Sequence, residues 1–343
     1  MFDLREFVQR MPKAELHVHL EGSIRPSTLL MLAERNGINL PARDEIGLLN
    51  FYRFRDFPHF IQIYATITGC LRTPEDYQLI AYEFGADCAN QNIRYSEVTF
   101  SIATNQRMTG LDWNDILDGI NAGRLQAKRD FGVEIRWVID IVRDQPETQK
   151  EVLEIALAAR DLGCVALGLG GNEAGFPPEL FVETFMQAQK AGLPRVPHAG
   201  ESLGAASVWT AIDHLQATRI GHGVRSIEDT LLVHELVRRG VPLEICPTSN
   251  IRLGIYEDFQ AHPLRKLWDA GVAITIGSDD PPMFNTDLCQ EYRVLVDHFC
   301  FTEDELEKIS LNGLRFSLLP EEEKSTLMSA FQSEFIQLRE ALA

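Results

Sequence analysis

Residues 14–20 read Ala-Glu-Leu-His-Val-His-Leu, a short run with alternating histidines that Glu21 and Gly22 follow directly. It is the first of eight similar runs, and helical patterns such as 144–162 and 227–240 separate them. The other runs cover 93–100, 134–139, 164–169, 195–198, 219–222, 242–246 and 272–276. Short runs rich in Val and Ile are typical of buried parallel strands. Eight strand–helix alternations predict an α/β fold, a single (β/α)8 barrel over residues 1–343, with a doubly wound sheet as the alternative.

The spacing of the runs predicts two additions to this barrel. A long segment separates the first two runs, and we expect a helical insertion at about 24–90. Its stretch 51–60 holds five aromatic residues, which fit either the core of an extra helical layer or an apolar lid beside a pocket. An insertion after the first strand falls on the face of a barrel where active sites occur. Residues 302–343 predict helices that close the bottom or the side of the barrel.

The charge balance excludes several classes of partner. The chain carries 32 Lys and Arg against 50 Asp and Glu, so its formal net charge is -18. Binding to nucleic acid or to an anionic membrane needs a basic face, and we expect neither partner. The charged N-terminus lacks the apolar stretch of a signal peptide, and the six cysteines include no CxxC pair. We predict a cytoplasmic protein.

Histidines and acidic residues stand at the ends of four predicted strands. His17 and His19 are two positions apart, so their side chains point to the same face of the first strand. His198 ends the fifth run, His222 ends the sixth, and Asp279 follows the eighth. The carboxyl ends of all barrel strands meet at one rim. Three histidines and one aspartate there suit a metal such as zinc, with room for water, and leave Glu201 and a further histidine for acid–base chemistry.

Two other patterns carry weaker information. The glycine-rich stretch 168–173 lacks the third glycine of a dinucleotide fingerprint and is followed by no basic residue, which argues against a phosphate site. It fits either close approach of backbone N–H groups to a flat ligand or a tight turn with positive φ. Cys246 has no adjacent group to activate it, so a nucleophilic role is not expected.

Five motifs together resemble the adenosine and adenine deaminase family over nearly the whole chain. They are MPKAELHVHLEGS at 11–23, HAGE at 198–201, GHG at 221–223, CPTSN at 246–250 and SDDP at 278–281. The resemblance implies one zinc per chain and a small-molecule 6-aminopurine nucleoside as the substrate. The zinc ligands that it implies are His17, His19, His198 and Asp279.

The same resemblance implies the remaining roles. Glu201 would donate a proton to purine N1, and His222 would orient and deprotonate the attacking water. Asp280, in its protonated form, would donate to N7, while the backbone N–H of Gly171 would reach N3. Glu21 stands where adenosine deaminases carry an aspartate that contacts the ribose. The substrate-binding set thus contains His19, Glu21, Gly171 and Asp280.

The motif details leave the exact substrate open. The stretch 168–173 and residues 278–284 look most like a bacterial subgroup, some of whose members deaminate 6-amino-6-deoxyfutalosine, an adenosine with a benzoate in place of the 5′-hydroxyl. Arg53, Arg55 or Arg252 is a candidate for binding that anionic group. The alternatives are an adenine deaminase, a two-metal amidohydrolase bridged by Glu173, and a purine-binding barrel without turnover. The chain is expected to be a monomer or a homo-oligomer.

Overall fold

The computed structural model describes residues 3–342 and contains eight parallel β-strands in this part of the chain. Each strand overlaps one of the eight predicted runs, so the strand prediction is confirmed. The strands are β1 (Lys13–His19), β2 (Ile93–Phe100), β3 (Glu134–Val142), β4 (Cys164–Gly170), β5 (Arg195–Ala199), β6 (Ile220–His222), β7 (Leu243–Ile245) and β8 (Ile274–Ile276).

The strands pair with their neighbours in sequence order, from β1 to β8. Beyond the end of β8, Asp279 returns to β1: its N–H donates to the carbonyl of His17 at 3.2 Å, and the N–H of His19 donates to its carbonyl at 2.9 Å. These two bonds close the sheet at the rim where the strands end. The fold is therefore the predicted (β/α)8 barrel, and the carboxyl ends of β1 and β8 are held together.

Helices surround the barrel. Within the described residues they are α1 (Leu4–Arg10), α2 (Pro26–Arg35), α3 (Glu45–Phe51), α4 (Phe57–Thr68), α5 (Pro74–Asn90), α6 (Ile102–Thr109), α7 (Trp113–Phe131), α8 (Gln149–Ala158), α9 (Val182–Lys190), α10 (Ala205–Asp213), α11 (Thr230–Arg239), α12 (Pro247–Arg252), α13 (Leu264–Asp269), α14 (Pro281–Phe284), α15 (Leu288–Phe299), α16 (Glu303–Arg315) and α17 (Glu321–Leu342). None of these helices is both long and apolar enough to cross a membrane.

The segment between β1 and β2 holds the helices α2 to α5. Helix α5 packs closely along α7, and a Cβ at Gly119 or Gly123 of α7 would lie 2.4 or 2.3 Å from a backbone oxygen of α5. Helix α5 is therefore part of the outer ring of the barrel, and α2 to α4 form the addition at the rim. Only these three helices within the predicted range 24–90 lie outside the ordinary barrel.

The C-terminal helices cover the side of the barrel. Helix α16 packs on β1 and β8, where Asn312 donates to the carbonyl of Ile274 at 2.9 Å. Helix α17 packs on α16 and on α1, with the ring of Phe335 stacked 6.3 Å from that of Phe7. These contacts agree with the expectation that residues 302–343 close the barrel's side, up to the last described residue.

Candidate metal centre and active-site cavity

Four predicted ligands converge at the carboxyl ends of the strands. Nε2 of His19 lies 3.3 Å from Oδ1 of Asp279 and 3.3 Å from Nε2 of His198. Nε2 of His17 lies 3.6 Å from the same carboxylate oxygen. One donor atom from each of the four residues lies within 4.8 Å of every other. Side chains from β1, β5 and the end of β8 thus meet in one cluster, as the sequence predicts.

This cluster fits a metal ion by the chemistry and the state of its donors. The ring atom Nε2 of His17 is buried and has no hydrogen-bond partner among the described residues. A buried imidazole nitrogen facing other nitrogen and oxygen donors is the arrangement that zinc prefers in catalytic sites. A second possible donor set replaces His19 and His198 with His222 and Cys246, and because it shares His17 and Asp279 it marks the same location.

A buried network behind the cluster sets the orientation of His17. Oε2 of Glu244 lies 3.0 Å from Nδ1 of His17, and the other oxygen of Glu244 binds Arg219. Arg219 also binds Glu97 at 2.5 Å, and all three network residues are at most 1 % exposed. A carboxylate on Nδ1 places the hydrogen there and leaves Nε2 free to bind a metal. Glu97, Arg219 and Glu244 stand in none of the five sequence motifs.

Backbone geometry at the rim is unusual at two site residues. His222 has φ of 59° and Asp279 has φ of 63°, in the left-handed region that residues with a side chain rarely adopt. Such conformations persist where the surrounding structure fixes them, and they concentrate at functional sites. The Asp279 side chain is held further because the hydroxyl of Ser249 donates to its Oδ2 at 2.6 Å. Oδ1 is thereby left facing the histidines.

Glu201 occupies a turn that Glu173 holds in place. The carboxylate of Glu173 accepts the backbone N–H groups of residues 200–203 at 2.6 to 3.2 Å. Both oxygens of Glu173 thus accept hydrogen bonds within this turn, and neither is free to bridge two metals. Oε1 of Glu201 is buried without a hydrogen-bond partner among the described residues. Burial, together with the charges of Asp279 and Glu173, raises the pKa of Glu201 to about 8.

His222 faces two acidic residues of the site. Its Nε2 lies 3.6 Å from Oε1 of Glu201 and 3.9 Å from Oδ2 of Asp279. Its Nδ1 lies 3.3 Å from Nδ2 of Asn250. Burial lowers the pKa of His222 to about 3, so the ring is neutral. The sequence predicts His222 at this rim, whereas the motif CPTSN contains Asn250 without indicating this contact.

Asp280 lies deep in the site and depends on a glycine. Burial and the neighbouring Asp279 raise the pKa of Asp280, which favours its protonated form. Its Oδ1 is buried and has no hydrogen-bond partner among the described residues. A Cβ on Gly22 would lie only 1.7 Å from that oxygen, so this position must remain glycine for Asp280 to occupy its place.

Of the other two predicted substrate contacts, Gly171 lines the cavity and Glu21 does not. Gly171 has φ of 90° and lines the cavity in front of the cluster. Glu21 is fully buried and is not among the residues that line this cavity. Its carboxylate accepts from the hydroxyl of Tyr64 at 3.0 Å and from the side chain of Asn105 at 2.5 Å. A direct contact between Glu21 and substrate stays a prediction.

The cavity has a volume of about 220 Å³, and one part of its wall is apolar. Helix α4 contributes Phe57, Phe60, Ile61 and Tyr64, so this part of the aromatic segment is a cavity wall. Phe54 does not line this cavity and makes edge contacts with Phe60 and Phe284 behind it. Both interpretations of the aromatic stretch therefore hold for different residues.

One arginine lines this cavity among the described residues, and it is Arg107 of α6. Its side chain is exposed and makes no hydrogen bond or ion pair with any described residue. Arg53 and Arg252 line a neighbouring cavity, and Arg55 lines neither. None of these three arginines lines the cavity in front of the cluster, so their role in binding an anionic group stays a prediction. No motif marks Arg107 in the sequence.

Comparison with known proteins gives one family. The adenosine deaminase family profile matches residues 12–334. An aminodeoxyfutalosine deaminase from Streptomyces coelicolor is 40% identical over 320 residues, which cover 92% of this chain and 82% of that protein.

Two solved structures have the same fold. The crystal structure of an adenine deaminase from Arthrobacter aurescens superposes with a TM-score of 0.89 at 31% identity, covering 94% of this chain and 98% of that one. An amidohydrolase from Burkholderia ambifaria with bound Zn has a TM-score of 0.91 at 28% identity, covering 98% of this chain and 94% of that one.

Proposed function

The chain belongs to the adenosine deaminase family, and we propose that it hydrolyses the 6-amino group of a purine nucleoside and releases ammonia. The observation that carries this proposal is the cluster of three histidines and Asp279 beside two acidic groups with raised pKa values, Glu201 and Asp280. Groups whose environments shift their pKa values in one cavity are typical of acid–base catalysis.

We assign one zinc ion to the cluster, held by His17, His19, His198 and Asp279. A bound zinc ion acts as a Lewis acid and makes hydroxide available near neutral pH. The zinc-bound relative from Burkholderia ambifaria supports this assignment, and so does the buried, unpartnered Nε2 of His17. Because Glu244 fixes the ring of His17 from the far side, this ligand is oriented before any metal arrives.

Glu201 is the proposed proton donor to purine N1. With a pKa of about 8, its carboxyl group is mostly protonated at neutral pH and has a hydrogen to give. Protonation at N1 neutralises the charge that attack at C6 places on the ring. Asp280, held protonated by burial beside Asp279, is the proposed donor to N7. The backbone N–H of Gly171, on the cavity wall, is the proposed contact for N3.

His222 is proposed to orient the attacking water. Its ring is neutral and its Nε2 faces Glu201 and Asp279, so it lies on the side of the cluster where the acidic groups gather. Whether it also takes a proton from the water depends on which ring nitrogen carries the hydrogen.

We propose aminodeoxyfutalosine as the preferred substrate. Its benzoate combines an aromatic ring with a carboxylate, and the cavity offers a partner for each. Phe57, Phe60 and Ile61 form an apolar wall, and Arg107 is the arginine on the same cavity lining without an acidic partner. Guanidinium groups bind carboxylates with paired, charge-assisted hydrogen bonds. The Streptomyces coelicolor relative supports the same choice.

Adenine is the second candidate substrate. The Arthrobacter aurescens structure supports it, because that protein is an adenine deaminase with the same fold and 31% identity. Adenine has no group that would reach Arg107, so only deamination of aminodeoxyfutalosine is expected to depend on this arginine.

A substrate panel tests the proposal. Purified protein loaded with zinc is assayed with adenine, adenosine, 5′-deoxyadenosine, methylthioadenosine and aminodeoxyfutalosine, and kcat/KM is compared. Deamination of any of them supports the reaction type, and the highest value for aminodeoxyfutalosine supports the substrate. No deamination of any 6-aminopurine, by protein that retains zinc, overturns the proposed function.

A further inference from the structure

Three buried polar side chains form a hydrogen-bonded row that leads away from the four predicted metal ligands. His222 ends β6, Asn250 lies in α12, and His262 precedes α13. Nδ2 of Asn250 lies 3.3 Å from Nδ1 of His222, and Oδ1 of Asn250 lies 3.1 Å from Nε2 of His262. All three residues are at most 4 % exposed, so water does not compete for these contacts.

The far end of the row fixes where the hydrogen of His262 lies. The backbone N–H of Leu264 donates to Nδ1 of His262 at 3.2 Å, so this nitrogen acts as an acceptor and carries no hydrogen. Burial lowers the pKa of His262 to about 3, and its ring is neutral at physiological pH. A neutral imidazole has one hydrogen, which must then be on Nε2.

The orientation of the Asn250 amide then determines which nitrogen of His222 carries the hydrogen. Nε2–H of His262 donates to an oxygen, so Oδ1 of Asn250 faces His262 and the NH₂ group faces His222. An amide NH₂ only donates, so Nδ1 of His222 accepts. The backbone N–H of Leu264 therefore determines, through two side chains, which nitrogen of His222 is protonated.

We propose that Asn250 and His262 are positioning residues that make Nδ1 of His222 an acceptor and hold its hydrogen on Nε2. That nitrogen lies 3.6 Å from Oε1 of Glu201 and 3.9 Å from Oδ2 of Asp279, and the negative charge of Asp279 favours a hydrogen on it. His222 in this form orients an oxygen in the site by donating to it. It cannot accept a proton at Nε2, so its role is orientation of the water in place of the base role that the family resemblance implies.

The hydrogen position on His222 is inferred from the contacts among His222, Asn250 and His262 alone, while its effect on turnover rests on the proposed function. The direct measurement is therefore made without substrate. Protein labelled with ¹⁵N in its histidine rings is examined by long-range ¹H–¹⁵N correlation, in metal-free and zinc-loaded forms. The signals of His222 are identified by their loss in His222→Gln. We expect protonated Nε2 and unprotonated Nδ1 in both forms, and a hydrogen on Nδ1 of His222 overturns the proposal.

Two substitutions at His262 form a matched pair. The amide nitrogen of glutamine can take the place of Nε2, so His262→Gln keeps the donor to Asn250. Asparagine is shorter and keeps only the group near Nδ1, so His262→Asn loses that donor. Both replace the ring with a neutral amide and create a similar cavity. Asn312→Asp, which alters a buried amide in α16 bonded to the carbonyl of Ile274, controls for general destabilisation.

We expect His262→Gln to keep the wild-type hydrogen position on His222, with kcat within about threefold of wild type. We expect His262→Asn to give a second, Nδ1-protonated form and to lower kcat about tenfold or more, with a smaller change in KM. Asn312→Asp leaves the His222 signals unchanged. If His262→Asn and His262→Gln give the same His222 signals, the amide does not transmit the hydrogen position and the proposal fails. This result is readable even if no purine is deaminated.

Discussion

Oε2 of Glu244 lies 3.0 Å from Nδ1 of His17, although the two residues are 227 positions apart in the chain. Arg219 binds the other oxygen of Glu244 and so keeps the carboxylate charged inside the barrel. Glu244 holds the ring of His17 on the side away from the other predicted ligands, and the second nitrogen of that ring points into the candidate metal centre.

Glu244→Gln tests this relationship. The amide is a weaker acceptor than the carboxylate and can turn its NH₂ group toward His17, so the ring loses its preferred orientation. We expect zinc affinity to fall about 10- to 100-fold, measured by competition with a chelator. Glu97→Gln is the matched control, because Glu97 binds the same Arg219 but does not contact His17. Equal losses in the two variants would mean that the ion network, and not the contact to His17, sets the affinity.

Glu201→Ala and Asp279→Ala separate catalysis from metal binding. Both are expected to abolish deamination, because one removes the proposed proton donor and the other a proposed zinc ligand. Metal analysis of the purified proteins distinguishes them: Glu201→Ala keeps its zinc, and Asp279→Ala loses it. Near-wild-type activity in either variant contradicts its assigned role.

Gly22→Ala tests the close approach of Asp280. The added Cβ would lie 1.7 Å from Oδ1 of Asp280, so the carboxyl group must move. A displacement of about 1 Å in a positioning group can cost roughly 100-fold, and we expect a drop of about that size in kcat/KM. Gly175→Ala is the control, since its Cβ would meet only the flexible side chain of Asn172 at 3.2 Å. Full activity in Gly22→Ala would remove Asp280 from the site's chemistry.

Arg107→Gln tests the proposed contact with the benzoate. Loss of a charge-assisted hydrogen bond is worth about 1.5–3 kcal/mol, so we expect KM for aminodeoxyfutalosine to rise roughly 10- to 100-fold. The kinetics with adenosine, which lacks the carboxylate, stay unchanged. Arg252→Gln, in the neighbouring cavity, alters neither substrate. An equal effect of Arg107→Gln on both substrates would point to a general role in the fold.

Glu291 makes stability depend on pH. Burial raises its pKa to about 7, and it accepts from the backbone N–H of Thr248 at 3.0 Å. A pKa raised on folding means that the folded state binds the proton more tightly. Its contribution to stability is therefore full below about pH 4.5 and is lost as the pH rises through 7.

The measurement compares wild type with Glu291→Gln. A glutamine cannot ionise, so the difference in unfolding free energy between the two proteins should move in favour of the variant by about 3 kcal/mol from pH 4 to pH 8. Urea unfolding at both pH values gives this difference. The exposed Glu257→Gln serves as the control and shows no such change. A difference that is constant with pH would mean that Glu291 titrates normally.

The local sequence was sufficient to predict the fold and the residues that meet in the candidate metal centre. Strand β1 places His17 and His19 on one face because side chains alternate along a strand. The barrel brings His198, His222 and Asp279 to the same rim because parallel strands share one direction. Both properties depend only on short segments and on their order in the chain, so they can be predicted without a three-dimensional structure.

Only the tertiary structure decided what surrounds those residues. Glu244 on β7 and Arg107 on α6 stand in no motif, and the CPTSN motif that contains Asn250 does not show its contact with His222. Each acquires its role from a contact across the barrel or from its place on the cavity wall. Glu21 shows the converse, since the sequence places it beside the ligands but Tyr64 and Asn105 occupy its oxygens. Hydrogen-bond partners and exposure depend on packing between distant segments, and periodicity within one segment does not contain that information.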